Sequence, residues 1–275
     1  MTQNGGQLLV ACLQSLGART AYGVPGESYL AVLDALHDTK GALDFVLCRN
    51  EGGAGFMAAA HGKLTGDPGI CMVTRGPGAS NATIGVHTAR QDSSPMILFV
   101  GQIGTDQRER EAFQEVNYRQ FYGQVAKWVV EIDHVERIPE LVSRAWATAL
   151  SGRPGPVVVA LPEDMLTSLT DVGPCDPVII PEAAPAPDTI VALERELASS
   201  QRPLIIAGGG GWTDDGARAL QGFAEASDIP VLVAFRSQDL IDNLSDVYAG
   251  DAGVGMFPQT RKLITEADLI IAVNI

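Results

Sequence analysis

Residues 69–101 read GICMVTRGPGASNATIGVHTARQDSSPMILFVG. Two apolar runs, GICMVT and PMILFVG, bracket a segment of helical period at about 79–91. Both runs are continuously apolar and do not alternate with polar residues. That is the mark of strands buried on both faces, hence of a parallel sheet. Strand, helix and strand in this order make one unit of an α/β layer fold.

The same alternation extends outward on both sides. Further apolar runs are TAYGV, DFVLC, KWVVEI and GPVVVAL, with helices expected at about 5–17, 28–37, 52–65 and 135–150. The pattern breaks after Pro162. Residues 171–187, DVGPCDPVIIPEAAPAP, hold five prolines, which remove donors and favour extended chain, so this stretch reads as a linker. A second α/β unit then begins, with helices expected at about 188–200, 214–227 and 258–267 and strands PLIIAG, PVLVAF and DLIIAVNI. It closes on an apolar strand at Ile275 with no covering helix after it. The expectation is an incomplete second domain, with part of the natural protein lying beyond it.

A length of 275 residues suits one large domain or two ordinary ones. A formal net charge of −14 disfavours general affinity for DNA, RNA or anionic lipid. No apolar run approaches the roughly 18 residues of a membrane span. The start, MTQNGGQLLVACLQ, lacks the basic head and long apolar core of a secretory leader, so a cytoplasmic protein is expected. The four cysteines form no CxxC pair, which signals neither zinc nor a redox dithiol. Cys12, Cys48 and Cys71 read as small buried side chains, and Cys175, among prolines, as an exposed thiol. His37, His61, His87 and His134 share no ligand spacing.

Several motifs admit two readings. GVPGES, Gly23–Ser28, follows a strand and precedes a helix; it is an ordinary turn, or a loop at the strand ends where α/β sheets bind ligands. RGPGASN, Arg75–Asn81, holds the same position after another strand. Ser80 or Asn81 is a candidate helix cap, and the free N–H groups there suit a polar ligand. GGGGWT, Gly208–Thr213, puts Gly208 and Gly210 in register with G-x-G-x-x-G, but ends on Thr213, and reads as a tight turn. GTDQREREAFQE, Gly104–Glu115, reads as a solvated charged face, although Phe113 and Gln114 differ in character and suit a cleft. Glu51 opens the small-residue helix of CRNEGGAGFMAAAHGKLTG. At a surface it would complement the helix dipole, worth about 0.3–1 kcal/mol. Partly buried, it would be an acid of raised pKa suited to proton transfer. The residues themselves leave both readings open.

Taken together, GVPGE, CRNEGGAGFMAAAHGKLTG, VTRGPGASNATIGVHTARQDSSPMILFVGQ, AFQEVNY and RPGPVVVALPEDM resemble, in order and spacing, the thiamine diphosphate enzymes of the acetolactate synthase and 2-oxoacid decarboxylase superfamily. The resemblance implies a pyrimidine-binding domain over 1–170, the linker 171–187 and the beginning of a central domain over 188–275. The diphosphate-binding domain would be absent from this chain. It implies that Glu51 contacts N1′ of the cofactor's aminopyrimidine and promotes the imino form of that ring, which takes a proton from the thiazolium carbon and readies it to attack a 2-oxoacid. Pro25, Gly26, Gly76, Pro77, Gly78 and Asn81 match cofactor-binding positions. Glu27, Ser80, Phe113 and Gln114 match the substrate channel. Thiamine diphosphate is the implied cofactor, Mg2+ would be bound by the absent domain, and FAD on the central domain is a further possibility of the family. The implied partners are a small-molecule 2-oxoacid and further copies of the chain, as homodimer or homotetramer, with no nucleic acid and no membrane. The family often has His-Glu-Gln where this chain has Asn50-Glu51-Gly52, and the paired histidines of pyruvate decarboxylases are not apparent, so the 2-oxoacid stays open. The rival readings are a non-catalytic binding or assembly module of the same fold and a nucleotide binder using GGGGWT.

Overall fold

The computed structural model describes residues 2–39, 41–181 and 183–275. Met1, Lys40 and Glu182, the last within the proline-rich stretch, lie outside them. The chain divides into two units, Met1–Ile180 and Pro181–Ile275.

In the first unit the elements are β1 (Gln3–Asn4), α1 (Gly5–Ser15), β2 (Thr20–Gly23), α2 (Leu30–Asp38), β3 (Asp44–Leu47), α3 (Glu51–Thr65), β4 (Gly69–Val73), α4 (Pro77–Asp92), β5 (Met96–Gln102), α5 (Tyr118–Tyr122), β6 (Trp128–Glu131), α6 (Ile138–Leu150), β7 (Pro156–Pro162), α7 (Glu163–Thr167) and β8 (Leu169–Thr170). Among the described residues, six strands form one sheet in the order β3-β2-β4-β5-β7-β6, every pair parallel.

The unbroken apolar runs follow from this arrangement. Along β4, Ile70 and Met72 join one core while Cys71 and Val73 join the other. Phe99 against Leu98 in β5, and Val159 against Val158 in β7, divide the same way. Each side chain meets helix on its own face, so a period of two never shows as polar against apolar. One face is covered by α1, α2 and α6, the other by α3 and α4. These are the two helix layers expected from the sequence.

The α3–α4 crossing is unusually close. A Cβ on Gly85 would stand 2.4–2.8 Å from the backbone of Gly55, so only glycine fits where the two helices meet. Helix α1 opens on a reciprocal cap, Asn4 accepting from the Gln7 backbone while the Gln7 side chain accepts from Asn4 N. Helix α4 corrects one expectation. It begins at Pro77 with Gly76 before it and has no side-chain cap; Ser80 bonds back to the Gly76 carbonyl and Asn81 points elsewhere. Proline at the first helical position needs no donor there, which moves the start upstream.

The antiparallel pair β1–β8 and the short helices α5 and α7 carry too few residues for any periodicity. Among the described residues, 171–181 and 183–186 form no helix or strand, and the first part of this stretch is anchored. Thr2 and Gln3 donate to Asp171 and the Val172 carbonyl, and Ser15 to the Cys175 carbonyl at 2.6 Å. Cys175 is therefore half-buried against the first core, not the exposed thiol expected. The prolines do not free the chain from the apolar surface beside it.

In the second unit, α8 (Pro187–Ser199), β9 (Pro203–Ala207), α9 (Asp214–Ser227), β10 (Val231–Val233), β11 (Tyr248–Asp251), α10 (Pro258–Glu266) and β12 (Leu269–Val273) build a parallel sheet of order β11-β10-β9-β12. Strand β11, sequence YAGD, is a fourth strand beyond the three expected here, and it carries no apolar run that would announce it. The β9–α9 turn holds GGGGWT. There Trp212 Nε1 donates to the Gly208 carbonyl at 2.7 Å and Asn274 Nδ2 to the Gly210 carbonyl at 2.7 Å. The chain's own side chains thus fill the turn.

Asp268 ties this unit's strand β12 to the entry of β9. Its carboxylate accepts from Ser200 Oγ at 2.5 Å and from the backbone N–H groups of Gln201 and Arg202 at 2.8 Å each. These bonds, the Ser200 hydroxyl first, hold its pKa at about 2. A pKa lower in the folded state contributes stability that is complete above the ordinary carboxylate value near 4 and disappears as pH falls toward 2. Asp268→Asn is expected to flatten the acid limb of the second unit's unfolding curve over that window. Chemical denaturation at pH 2, 4 and 6 checks it; parallel acid limbs for the two proteins would refute it.

Candidate functional site

The sheet has a switch point between β2 and β4. Strand β2 is followed by α2 on one face, and β4 by α4 on the other. Loops that diverge to opposite faces leave a crevice at the carboxyl ends of the strands, the place where open α/β sheets bind ligands. Residues 24–26 and 74–76 are those loops, running into the turn at Glu27–Tyr29 and into α4.

The two loops are joined by polar bonds. Ser28, fully buried, shares a hydrogen bond of 2.9 Å with Thr74 Oγ1 and accepts from Arg75 N at 3.3 Å. Gly26 backs onto Thr74, where a Cβ would stand 2.4 Å from the Thr74 Cβ. Arg75 Nη2 donates to Glu27 at 2.8 Å and Nη1 to Glu163 at 3.3 Å, while Nε donates to the Phe113 carbonyl at 3.3 Å.

Gly76 has φ of +53°, a left-handed value that glycine accepts freely. A side chain there would also strike Gln114, 2.8 Å from its Cβ. Gly76 N donates to the Tyr118 hydroxyl at 3.0 Å, and that hydroxyl donates to the Gly101 carbonyl. Burial pushes the Tyr118 phenol up to about 12, so it stays protonated and keeps both bonds.

Glu51 is the first residue of α3, following the Asn50 cap, whose side chain accepts from Gly52 N at 2.8 Å. It is half-buried, and its Oε2 accepts from Asn81 Nδ2 on α4 at 2.9 Å. A Cβ on Gly78 would stand 3.5 Å from Glu51 Oε1, so the absence of a side chain there leaves room beside the carboxylate.

The residues expected from the sequence thus fall into two groups. Gly26, Glu27, Gly76 and Gln114 gather at Thr74–Gly76, and Glu51, Gly78 and Asn81 at the Glu51 carboxylate, the two sets meeting where a Cβ on Gly78 would stand 2.9 Å from Thr74 Cγ2. Pro25, Pro77 and Ser80 lie on the same loops and first helical turn, and are exposed. The Phe113 ring is 74% exposed; its carbonyl, not its ring, reaches the cluster. Arg75 is the residue that sequence reasoning passed over. A charged residue opening a glycine-proline turn was the available signal, and its two acidic partners lie 48 and 88 positions away.

A separate cavity of about 300 Å³ opens over β5, β7 and β6, lined by Gln102, Arg108, Glu115, Tyr118 and Glu131 among others. Arg108 and Glu131 are ion-paired across it, and Glu51 takes no part in its lining. His37 is exposed beside Asp38, and His61 meets the Tyr22 hydroxyl at 3.2 Å. No group of three or more metal-ligating side chains occurs among the described residues, and no helix among them is long and apolar enough to cross a membrane.

A parallel sheet covered by helices on both faces, with a switch point between β2 and β4, defines the chain as an α/β protein of the open-sheet class, in which ligands bind at such a crevice. Two family models agree with that class. The N-terminal TPP binding domain of thiamine pyrophosphate enzymes matches residues 3–121, and the central domain of the same enzymes matches residues 190–275. The chain belongs to the thiamine pyrophosphate enzymes. It is 31% identical over 271 residues to the acetolactate synthase isozyme 2 large subunit of Escherichia coli (strain K12), covering 98% of this chain and 49% of that protein. It is 34% identical over 274 residues to the acetolactate synthase large subunit of Lactococcus lactis subsp. lactis (strain IL1403), covering 98% and 47%. The acetolactate synthase of Bacillus subtilis (strain 168) is 30% identical over 272 residues, with 98% and 47% covered. The chain spans about half the length of the curated relatives it matches.

Proposed function

We propose that this chain is the pyrimidine-binding and central portion of a thiamine diphosphate-dependent enzyme that decarboxylates a 2-oxoacid, with or without carboligation, in the manner of an acetolactate synthase. The observation that carries the reading is Glu51: half-buried, opening a small-residue helix, anchored by Asn81, in a chain of this family. The residues present suit an aminopyrimidine. A carboxyl group stands at the head of α3 with one oxygen held by Asn81, and Gly78 leaves its flank open to a flat ring.

In this reading Glu51 holds or yields a proton at N1′ of the ring. Asn81 fixes the orientation of the carboxyl by occupying Oε2, which directs Oε1 to the ligand. Pro25, Gly26, Gly76, Pro77 and Gly78 shape the walls of the ring site. Glu27, Ser80, Phe113 and Gln114 face the substrate. Thiamine diphosphate supplies an electron sink for the bond lost with carbon dioxide. Its diphosphate and Mg2+ belong to a domain outside this chain.

The direct test supplies the full-length protein carrying this chain with thiamine diphosphate, Mg2+ and a panel of 2-oxoacids. Release of carbon dioxide from at least one acid is expected. Tight cofactor binding with no acid consumed would favour the non-catalytic module instead.

Oligomerisation is part of the same proposal. Phe56 and Met57 on α3 and Ile84 on α4 are 44%, 42% and 55% exposed, and Ile84 packs beside Gly52 at the head of α3. Apolar side chains next to the site suit a second copy completing it. Phe56→Glu with Ile84→Glu is expected to convert a dimer or tetramer of the full-length protein to monomer and to remove turnover. Sedimentation equilibrium checks this; an unchanged mass would contradict it. For the second unit, calorimetric titration with NAD is expected to show no heat, because Trp212 and Asn274 occupy the glycine turn. The same titration with FAD decides whether this unit carries a flavin.

A further inference from the structure

Arg75 has an unusual setting for a charged side chain at a loop. Its side chain is only 10% exposed, yet both carboxylates it binds are at the surface, Glu27 at 67% and Glu163 at 49%. The guanidinium is therefore a buried hub with three spokes. One reaches the loop after β2, through Glu27, and one the head of α7, through Glu163; the third reaches the turn at Phe113, through its carbonyl. A planar fork with several donors in fixed directions suits this task, which a single ammonium could perform only in part. Three of the five guanidinium N–H donors are engaged in these bonds.

The effect falls on Glu27. An exposed glutamate ordinarily samples many rotamers, but here one oxygen is held at 2.8 Å by a charge-assisted bond while most of the side chain faces outward. Gly76, the next residue along from Arg75, seats Gln114. One loop thus sets the place of Glu27, Phe113 and Gln114 together, two residues ahead of the glycine that flanks Glu51.

We propose that Arg75 is a positioning residue: it fixes the Glu27 carboxylate and the Phe113–Gln114 turn at the strand-end crevice, so that Glu27 acts on the bound 2-oxoacid from one orientation. The inference rests on the proposed function and concerns the step after the cofactor is bound and activated. Arg75 makes no bond to Glu51 or Asn81. Its removal should therefore spare the Glu51 chemistry.

The test uses the full-length protein with thiamine diphosphate and Mg2+, and compares Arg75→Met, Arg75→Lys, Glu27→Gln and the double variant Arg75→Met/Glu27→Gln. Arg75→Met folds, because the two carboxylates it leaves remain hydrated; its thermal midpoint verifies this. The expected result is kcat lower by about 10²-fold in Arg75→Met, with KM, cofactor Kd and hydrogen–deuterium exchange at the thiazolium carbon each within threefold of wild type. Glu27→Gln should lose a similar factor, the double variant no more than the worse single, and Arg75→Lys should recover part of the loss. Multiplying losses in the double variant would overturn the inference, as would near-normal kcat in Arg75→Met, or cofactor affinity and exchange falling in step with kcat. Wild-type protein that neither exchanges nor consumes any 2-oxoacid would instead sink the underlying reading, and the inference with it.

Discussion

Glu51→Gln in the full-length protein is expected to lower turnover of its 2-oxoacid by about 10²–10⁴-fold, the usual scale for losing a positioned proton donor or acceptor. The same change should hardly affect folding. The surface reading of Glu51, a charge complementing the dipole of α3, is worth about 0.3–1 kcal/mol. Gln keeps an oxygen able to accept from Asn81, whose bond to Glu51 is 2.9 Å long. A dipole role predicts a small stability loss and intact activity; a proton role predicts the reverse. Steady-state kinetics beside a urea titration of the same protein separate them. Asn81→Ala should fall between, because it frees the carboxyl to rotate without removing it.

The second large effect is on stability. Gly85→Val would drive a branched side chain into the Gly55 backbone, where even a Cβ stands 2.4 Å from the carbonyl carbon. Overpacking typically costs about 1–3 kcal/mol and more where backbone cannot yield. Both helices are pinned here by the sheet beneath them, so the upper end applies. At roughly 2–4 °C per kcal/mol for a unit of this size, the first unit's midpoint should fall by about 6–12 °C. Gly53→Ala is the control. Nothing lies within 4 Å of its Cβ position, so the substitution should be neutral or slightly stabilising. Calorimetry on both variants checks the pair, and equal midpoints would contradict the close crossing.

Much of the layer structure was legible because burial on both faces writes itself as unbroken apolar text. Ile70 and Met72 serve one core and Cys71 and Val73 the other, yet all four read alike. Elements without such text were missed. The two-residue pairing of Gln3 with Thr170 and the strand YAGD are defined by partners far along the chain, not by local pattern. Cys175 was misread for the same reason: the prolines around it describe chain stiffness, while its burial comes from α1.

The site was legible in outline only. Glycines and prolines after strands pointed to the crevice, since a positive φ at Gly76 leaves a residue-type signature. What joins the loops left none. Arg75 reads as one more charge until Glu27 and Glu163 are brought to it, and Asn81 reads as a cap until α3 and α4 cross. Long-range polar bonds are set by topology, which local spacing does not encode.

Proton exchange at the thiazolium carbon of bound thiamine diphosphate, followed by NMR after rapid mixing with deuterium oxide, tests the role of Glu51 most directly. Fast exchange in the wild-type full-length protein, slowed by at least about 10²-fold in Glu51→Gln at saturating cofactor, is the predicted result. Equal exchange rates in the two proteins would contradict it.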